Sequence, residues 1–388
     1  MMREENMPAA QAPTWDAQRL KQERIARLQA EMRRLGVGAL YISDGVSLQY
    51  VLNTKIPGAK LFVPAQGEPV ALVRPRDAGY VALLHEHIVP PFYNNTWEPQ
   101  NDAKLARFAQ GIKDLMAQHG VAGEPLGVDP LEAPAFHALL QAGIAVTDAR
   151  PAIEYAKSIK TQDEIAIYRL IGEQYRETYL DFRNAIRPGV SEKDLAAVVV
   201  GSWHSQGGEE VRQLNVCSGE HMNPWRRWPT DRTLQPGEFV GIDFHGRSVN
   251  GIQGDVSRTY LVAGQPSEAQ RDLYRRSYEY LEAVTDIFRA GRPLGEVVAS
   301  VPQVPEQYYA QLYNYNVAHP IGMTPSGYPM LNMGRAQTDD ALRENQVFAI
   351  ECYFGAKGSP LAVKLEHMIR VREGEPEVLD AQVPIEPW

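Results

Sequence analysis

Gly237-Glu-Phe-Val-Gly-Ile-Asp-Phe-His-Gly-Arg-Ser-Val-Asn-Gly-Ile-Gln-Gly-Asp-Val-Ser-Arg-Thr-Tyr260 is the stretch whose reading decides the fold: two apolar strands joined by a glycine-rich turn, each with one aspartate. The pattern predicts that Asp243 and Asp255 face each other across a hairpin. A carboxylate in a core strand is costly to bury unless a cation or a hydrogen-bond network neutralises it, so two of them ask for metal. Further donors lie downstream in similar surroundings. Val347, Phe348 and Ile350 lead into Glu351, Val363 and Leu365 precede Glu366, and His319 stands in Val-Ala-His-Pro-Ile-Gly. One imidazole and four carboxylates form a hard, oxygen-rich set that suits a pair of divalent ions such as manganese or iron better than a thiolate zinc site. Taken singly, an aspartate at a strand end is usually a turn or cap residue, and a lone histidine is usually satisfied core. Acids inside apolar strand runs, taken together, point to a shared metal site.

Length and composition bound the reading. At 388 residues the chain exceeds the size at which one core usually stays single, which predicts two domains. The charge of −9 comes from 48 acids against 39 bases without a basic tract, which argues against nucleic acid or an anionic membrane as partner. No stretch approaches a membrane span, and residues 1–13 read as a short disordered tail. Cys217 and Cys352 are too few for a disulfide framework, so a reducing cytoplasm is expected.

Outward from the hairpin, Ile25, Leu28, Met32 and Leu35 at helical spacing predict a helix over 16–35 that Gly36 stops. A strand at 39–43 and a hairpin of 60–64 with 69–73 follow, then alternating helices and strands to Val146. This predicts an α/β domain over 1–155 with no glycine fingerprint or phosphate loop; His85, His87, His119 and His137 are scattered through it. Thr161-Gln-Asp-Glu164 reads as a capping box opening a long helix, and a second domain is expected over 156–388. Further helices are expected from Ser191 and over 267–290, the latter burying Leu273, Tyr280 and Val284.

These motifs together resemble the creatinase/aminopeptidase P family of metallopeptidases, across essentially the whole chain. The resemblance rests on Pro236-Gly-Glu-Phe-Val-Gly-Ile-Asp243, Gly254-Asp-Val-Ser-Arg-Thr-Tyr260, the His-x-x-Gly at His319, and two glutamates fifteen positions apart. It implies a creatinase-like N-terminal α/β domain and an α+β C-terminal domain of pita-bread fold. It also implies a two-metal centre (manganese, iron, cobalt or zinc) that activates a water. By the resemblance, Asp243, Asp255 and Glu366 hold one ion and Asp255, His319, Glu351 and Glu366 the other. A homodimer is implied too, with the N-terminal domain of one subunit closing over the other's site.

Departures from the family pattern narrow the chemistry. Peptidases of the family carry a histidine where Arg226 stands and another at Ser326, and their two aspartates are eleven apart where these are twelve apart. Asn223-Pro224-Trp225, the longer aspartate spacing, Glu351-x-x-x-Gly355-x-x-Gly358 and Val363-Lys-Leu-Glu366 are similar to a branch of metal-dependent dimethylsulfoniopropionate lyases. That branch has an aspartate at the position of His245 and an acidic base at that of Pro325. His245 shares a strand face with Asp243, so it reads as a sixth ligand, a proton carrier, or a residue hydrogen-bonded behind a carboxylate. Arg226 reads as a bidentate anchor for a substrate carboxylate or as a surface salt bridge. Trp225, Trp228, Tyr313, Tyr315 and Tyr328 are candidates to line the pocket or pack the core. The leading expectation is a dinuclear-metal hydrolase cleaving a C–N bond in a small carboxylate-bearing substrate. Its rivals are a lyase performing β-elimination on dimethylsulfoniopropionate or an analogue, and a non-catalytic binding module.

Overall fold

The computed structural model describes residues 14–83, 85, 87–89, 102–309, 316–324, 327–332 and 339–386. The expected N-terminal tail and four residues singled out above, Tyr313, Tyr315, Pro325 and Ser326, lie outside them.

The first lobe begins where Asp16 caps the helix Ala17–Arg34 by accepting the backbone N–H groups of Gln18 and Arg19. Its apolar stripe of Leu20, Ile25, Leu28 and Met32 is buried, and Gly36 takes the left-handed φ of +66° that ends it. A six-stranded mixed sheet follows, with spatial order Ile88–Val89, Val70–Leu72, Lys60–Pro64, Ala39–Ile42, Leu126–Val128, Val146–Asp148. Lys60–Pro64 runs antiparallel to both neighbours and the remaining pairs are parallel. Leu40, Ile42, Leu61 and Val63 pack with residues of Ala17–Arg34, Gly45–Leu52 and Arg150–Ser158. Ala39, Tyr41 and Phe62 pack with Asp102–Gln118 and Ala133–Gln141 on the opposite face. Both faces are therefore covered, as the near-continuous apolar strands require.

The second lobe opens at Thr161, whose capping box with Glu164 starts the helix Gln162–Ala185. Its main sheet is antiparallel throughout, in the order Leu331–Asn332, Asn316–Pro320, Val347–Ala356, Ala362–Arg370, Val256–Leu261, Phe239–Arg247, Glu210–Ser218. Val216, Val240, Ile242 and Phe244 pack with Gln162–Ala185 and Glu192–Ser205, while Cys352 donates its thiol to the Ser277 carbonyl, at 3.2 Å, on Glu268–Thr285. Leu273, Tyr280 and Val284 are buried there. Alternation of side chains along the strands turns Asp243, Glu351 and Glu366 to the other face. The lobes meet through buried Arg24, whose Nε and Nη2 donate to Glu164 Oε1 at 3.0 and 2.8 Å.

The central hairpin forms, and its register differs from the expectation. Asp243 pairs with Ser257, not with Asp255. Gly254 donates its N–H to the Gly246 carbonyl at 2.9 Å and Phe244 pairs with Val256, so Asp255 lies across from His245. A displacement of two residues leaves every side chain on its original face, so Asp255 still joins the acidic surface.

Candidate metal centre

Strand register alone builds most of the site. Asn215 pairs with Asp243, Asp243 with Ser257, Ser257 with Glu366 and Glu366 with Glu351, a transverse row of polar side chains across five strands on one face of the sheet. Asp255 and His245 stand one pleat step along from Ser257 and Asp243. His319 arrives from the next strand, where Ala318 pairs with Ile350. Its Nε2 lies 3.4 Å from Asp255 Oδ2, 3.6 Å from Glu351 Oε1 and 4.0 Å from Glu366 Oε1. The His245 ring spans two carboxylates, with Nε2 at 3.3 Å from Asp243 Oδ1 and Nδ1 at 3.2 Å from Asp255 Oδ2. The five expected ligands and His245 thus converge. Ligand atoms of Asp243, His245 and Asp255, and again of Asp255, His319 and Glu366, lie within 4.8 Å of one another.

The donor atoms fit metal ions. Asp243 Oδ1, both oxygens of Asp255 and Glu366 Oε1 are buried without a hydrogen-bond donor. Buried carboxylate oxygens are normally satisfied, so a cluster of orphans aimed at one point is a place for cations. Burial, then the charges of Glu366, Asp243 and Glu351, push the Asp255 carboxyl well above the usual range. Burial and the Glu351 charge raise Glu366 to about 7. Asp243 and Glu351 move the other way. Burial opposes it, but the Lys364 ammonium, with His245 for the first and His319 for the second, holds them below their ordinary values. The upward shifts therefore fall on Asp255 and Glu366, in the middle of the cluster.

Lys364 is a member of the site that the sequence reading quoted in a motif without giving it a role. It is fully buried, donates to Glu351, and its Nζ lies 3.4 Å from Glu366 Oε2 and 4.0 Å from Asp243 Oδ2. Its position two residues before Glu366 on a strand was the available signal. Ser257 and Asn215 were missed as well. Ser257 Oγ donates to Glu366 Oε2 at 2.6 Å and Asn215 Nδ2 to Asp243 Oδ2 at 3.1 Å, each fixing one oxygen and leaving the other toward the centre.

The remaining candidates are spread more widely. Trp225 is buried over Gly241, where a Cβ would come within 2.8 Å of its ring, and its edge meets Tyr353 at 6.2 Å between centroids. Gly241 lies two residues before Asp243, so this indole walls the acidic face one step from the ligands. Arg226 is exposed, and its Nη1 donates to His221 Nε2 at 2.9 Å. Trp228 is 68% exposed. Tyr328 donates its hydroxyl to Asp340, and its ring lies tilted by 51° against Tyr155 at 4.6 Å between centroids. Two of the quoted motifs touch: Asn223 Nδ2 donates to the carbonyls of Ala356 and Ser359 at 2.9 and 2.8 Å, and a Cβ at Gly355 would meet Asn223 Oδ1 at 2.7 Å.

Comparison with known proteins places this geometry. Residues 24–159 match the Creatinase/Prolidase N-terminal domain, and residues 166–373 match Metallopeptidase family M24. The chain is 25% identical to the dimethylsulfoniopropionate lyase DddP of Roseovarius nubinhibens over 283 residues, 70% of this chain and 63% of that protein. The match therefore spans less than two thirds of the lyase's length. A probable dipeptidase PepE of Mycobacterium tuberculosis is 25% identical over 342 residues, covering 84% of this chain and 86% of that one. In fold, the Xaa-Pro dipeptidase of Bacillus anthracis superposes with a TM-score of 0.79 at 20% identity, over 94% of this chain and 99% of that one. The relatives are enzymes, peptidases and lyases alike. With more than half of its 388 residues matched to that one model, the chain belongs to metallopeptidase family M24 and has the pita-bread fold.

Proposed function

We infer that this chain is a dinuclear-metal hydrolase that cleaves a C–N bond in a small, carboxylate-bearing substrate. The observation that carries the reading is the set of buried carboxylate oxygens on Asp243, Asp255 and Glu366 that have no hydrogen bond. Asp243, Asp255, His319, Glu351 and Glu366 would hold the ions, with Asp255 and Glu366 central in the cluster and His245 beside Asp243 and Asp255. When bound, two divalent ions (manganese, iron, cobalt or zinc) supply Lewis-acid polarisation and an activated water at neutral pH. Ser257 and Asn215 hold Glu366 and Asp243 in orientation, and Lys364 offsets part of the negative charge. Trp225 excludes water from one wall, with Trp228 and Tyr328 assigned to the outer pocket. Arg226 is the anchor for the substrate carboxylate, because a planar guanidinium binds it through two parallel hydrogen bonds. Elemental analysis coupled to a panel of Xaa-Pro dipeptides, ureido and amidino acids, and sulfonium and betaine compounds tests the reading. Hydrolysis of a carboxylate-bearing amide or amidine by metal-loaded protein is expected; protein that purifies and functions without metal sinks it.

A second reading is a lyase of the dimethylsulfoniopropionate type, favoured by the contact of Asn223 with the 355–359 turn, which joins two motifs shared with that branch. Release of dimethyl sulfide into the headspace separates the two. We also propose a cytoplasmic homodimer. Free buried Cys217 and Cys352 suit a reducing compartment, and light scattering should give about twice the 43.3 kDa monomer. A monomer at micromolar concentration rejects the dimer.

A further inference from the structure

Glu192, outside the metal centre, is a fully buried carboxylate that receives hydrogen bonds from five donors. The N–H and Oγ of Ser218 reach its Oε1 at 2.8 Å each, and the N–H and Oγ1 of Thr230 reach its Oε2 at 3.0 and 2.7 Å. The two ends of the 218–230 segment are thus clamped by one side chain. The fifth donor is His221 Nδ1, 3.0 Å from Oε1. On the far side of the same ring, Nε2 meets Arg226 Nη1 at 2.9 Å. A guanidinium only donates, so Nε2 accepts and the ring proton sits on Nδ1, directed at Glu192. Carboxylate, imidazole and guanidinium therefore form a directional relay from the interior to the surface.

Its outer end is unusual. Among the described residues no carboxylate lies within ion-pair reach of Arg226, whereas Arg232, on the same loop, is taken by Glu238 at 2.5 Å. Arg226 is thus an exposed arginine with one side-chain hydrogen bond and most of its N–H groups uncommitted, next in the chain to the Trp225 that packs over Gly241. We propose that His221, backed by Glu192, is a positioning residue that aims Arg226 at the carboxylate of a small organic acid substrate. The proposal rests on the anchoring role given to Arg226 above and adds the group that orients it. Loss of rotamer freedom before binding is what the relay contributes, because an aimed side chain gives up less entropy when the anion arrives.

The test uses the full chain loaded with manganese, with propionate as probe and propionamide as its neutral counterpart, titrated calorimetrically. Arg226→Met should weaken propionate about ten- to a hundredfold, the loss of a charge-assisted pair. His221→Ala should weaken it about five- to tenfold through misdirection of the arginine. His221→Gln keeps one donor and one acceptor on neighbouring atoms and should restore most of the affinity. In an Arg226→Met background His221→Ala should have no further effect, and propionamide should not distinguish the variants. Glu192 is left unaltered, since its removal would unclamp the whole segment. Unchanged propionate affinity in His221→Ala, or an equal loss with and without Arg226, reduces His221 to a loop brace and overturns the proposal. If Arg226→Met itself leaves propionate binding intact, or wild-type protein binds propionate no tighter than propionamide, the anchoring role fails and the relay with it.

Discussion

Asp129 and Asp255 are both buried aspartates at the edge of a core strand, one in each lobe, and they differ in what their oxygens meet. Asp129 follows the strand Leu126–Val128 and accepts the Ser43 N–H at 2.6 Å, the Ser43 hydroxyl at 2.8 Å and the Asp44 N–H at 2.8 Å. Asp255 precedes Val256–Leu261 and neither of its oxygens has a donor. Burial raises the carboxyl pKa in both. Around Asp129 the backbone N–H groups and hydroxyl pull back against that rise; around Asp255 the nearest charges are three further carboxylates that add to it. A satisfied buried acid ties a loop to a sheet, while an unsatisfied one among its own kind needs a cation. The same residue type is structural in one lobe and assigned to chemistry in the other.

The contrast is sharpest under substitution. Asp255→Ala should empty the centre, with a loss of metal affinity exceeding the roughly 10- to 100-fold typical of an outer-sphere partner, and abolish turnover. Elemental analysis after dialysis checks it, and full metal occupancy would remove Asp255 from the ligand set. Asp129→Ala should do the opposite: metal content unchanged, stability lower by about 2–4 kcal/mol because three donors lose a charged acceptor. Urea unfolding of metal-loaded protein measures that cost, and a change in metal stoichiometry would break the comparison.

Two smaller effects probe how the orphan acids are held. Ser257→Ala removes the closer of two donors to Glu366 Oε2 and should weaken metal binding about tenfold without unfolding the sheet, read by competition with a chelating dye. The last concerns pH. Glu366, raised to about 7, binds more protons in the folded metal-free protein than in the unfolded chain at any pH between about 4.5 and 7, and Asp255, held well above its ordinary value by burial and the neighbouring carboxylates, acts in the same direction. Stability of the metal-free protein contributed by these groups is therefore present at low pH and lost as pH rises through 7. Asp243 and Glu351, shifted downward, act below that window. Calorimetry should show the metal-free melting temperature falling by about 2–4 °C per kcal/mol lost between pH 5 and 7.5, and manganese reversing the trend. A metal-free protein that gains stability over that interval contradicts the upward shifts of Glu366 and Asp255.

Much of this was legible in the chain itself, for a physical reason. Side chains on a strand repeat every two residues, so apolar runs ending in Asp243, Glu351 and Glu366 announce acids at core positions without knowledge of which strands pair. Helix starts at Asp16, Thr161 and Ser267 were readable because caps are local chemistry. Pairing is not local. The partner of Asp243 proved to be Ser257 and not Asp255 because the Gly246–Gly254 contact sets the hairpin register, and one side chain cannot report that. Glu192 and His221, 29 positions apart, meet only because the helix Glu192–Ser205 docks beside the strand Glu210–Ser218. Sequence by itself determined which residue types the second lobe would bury and hence where a cation is proposed. Tertiary structure decided which oxygens are satisfied and which are left over, since a hydrogen-bond partner contributed by another strand is a property of register and packing, not of spacing along the chain.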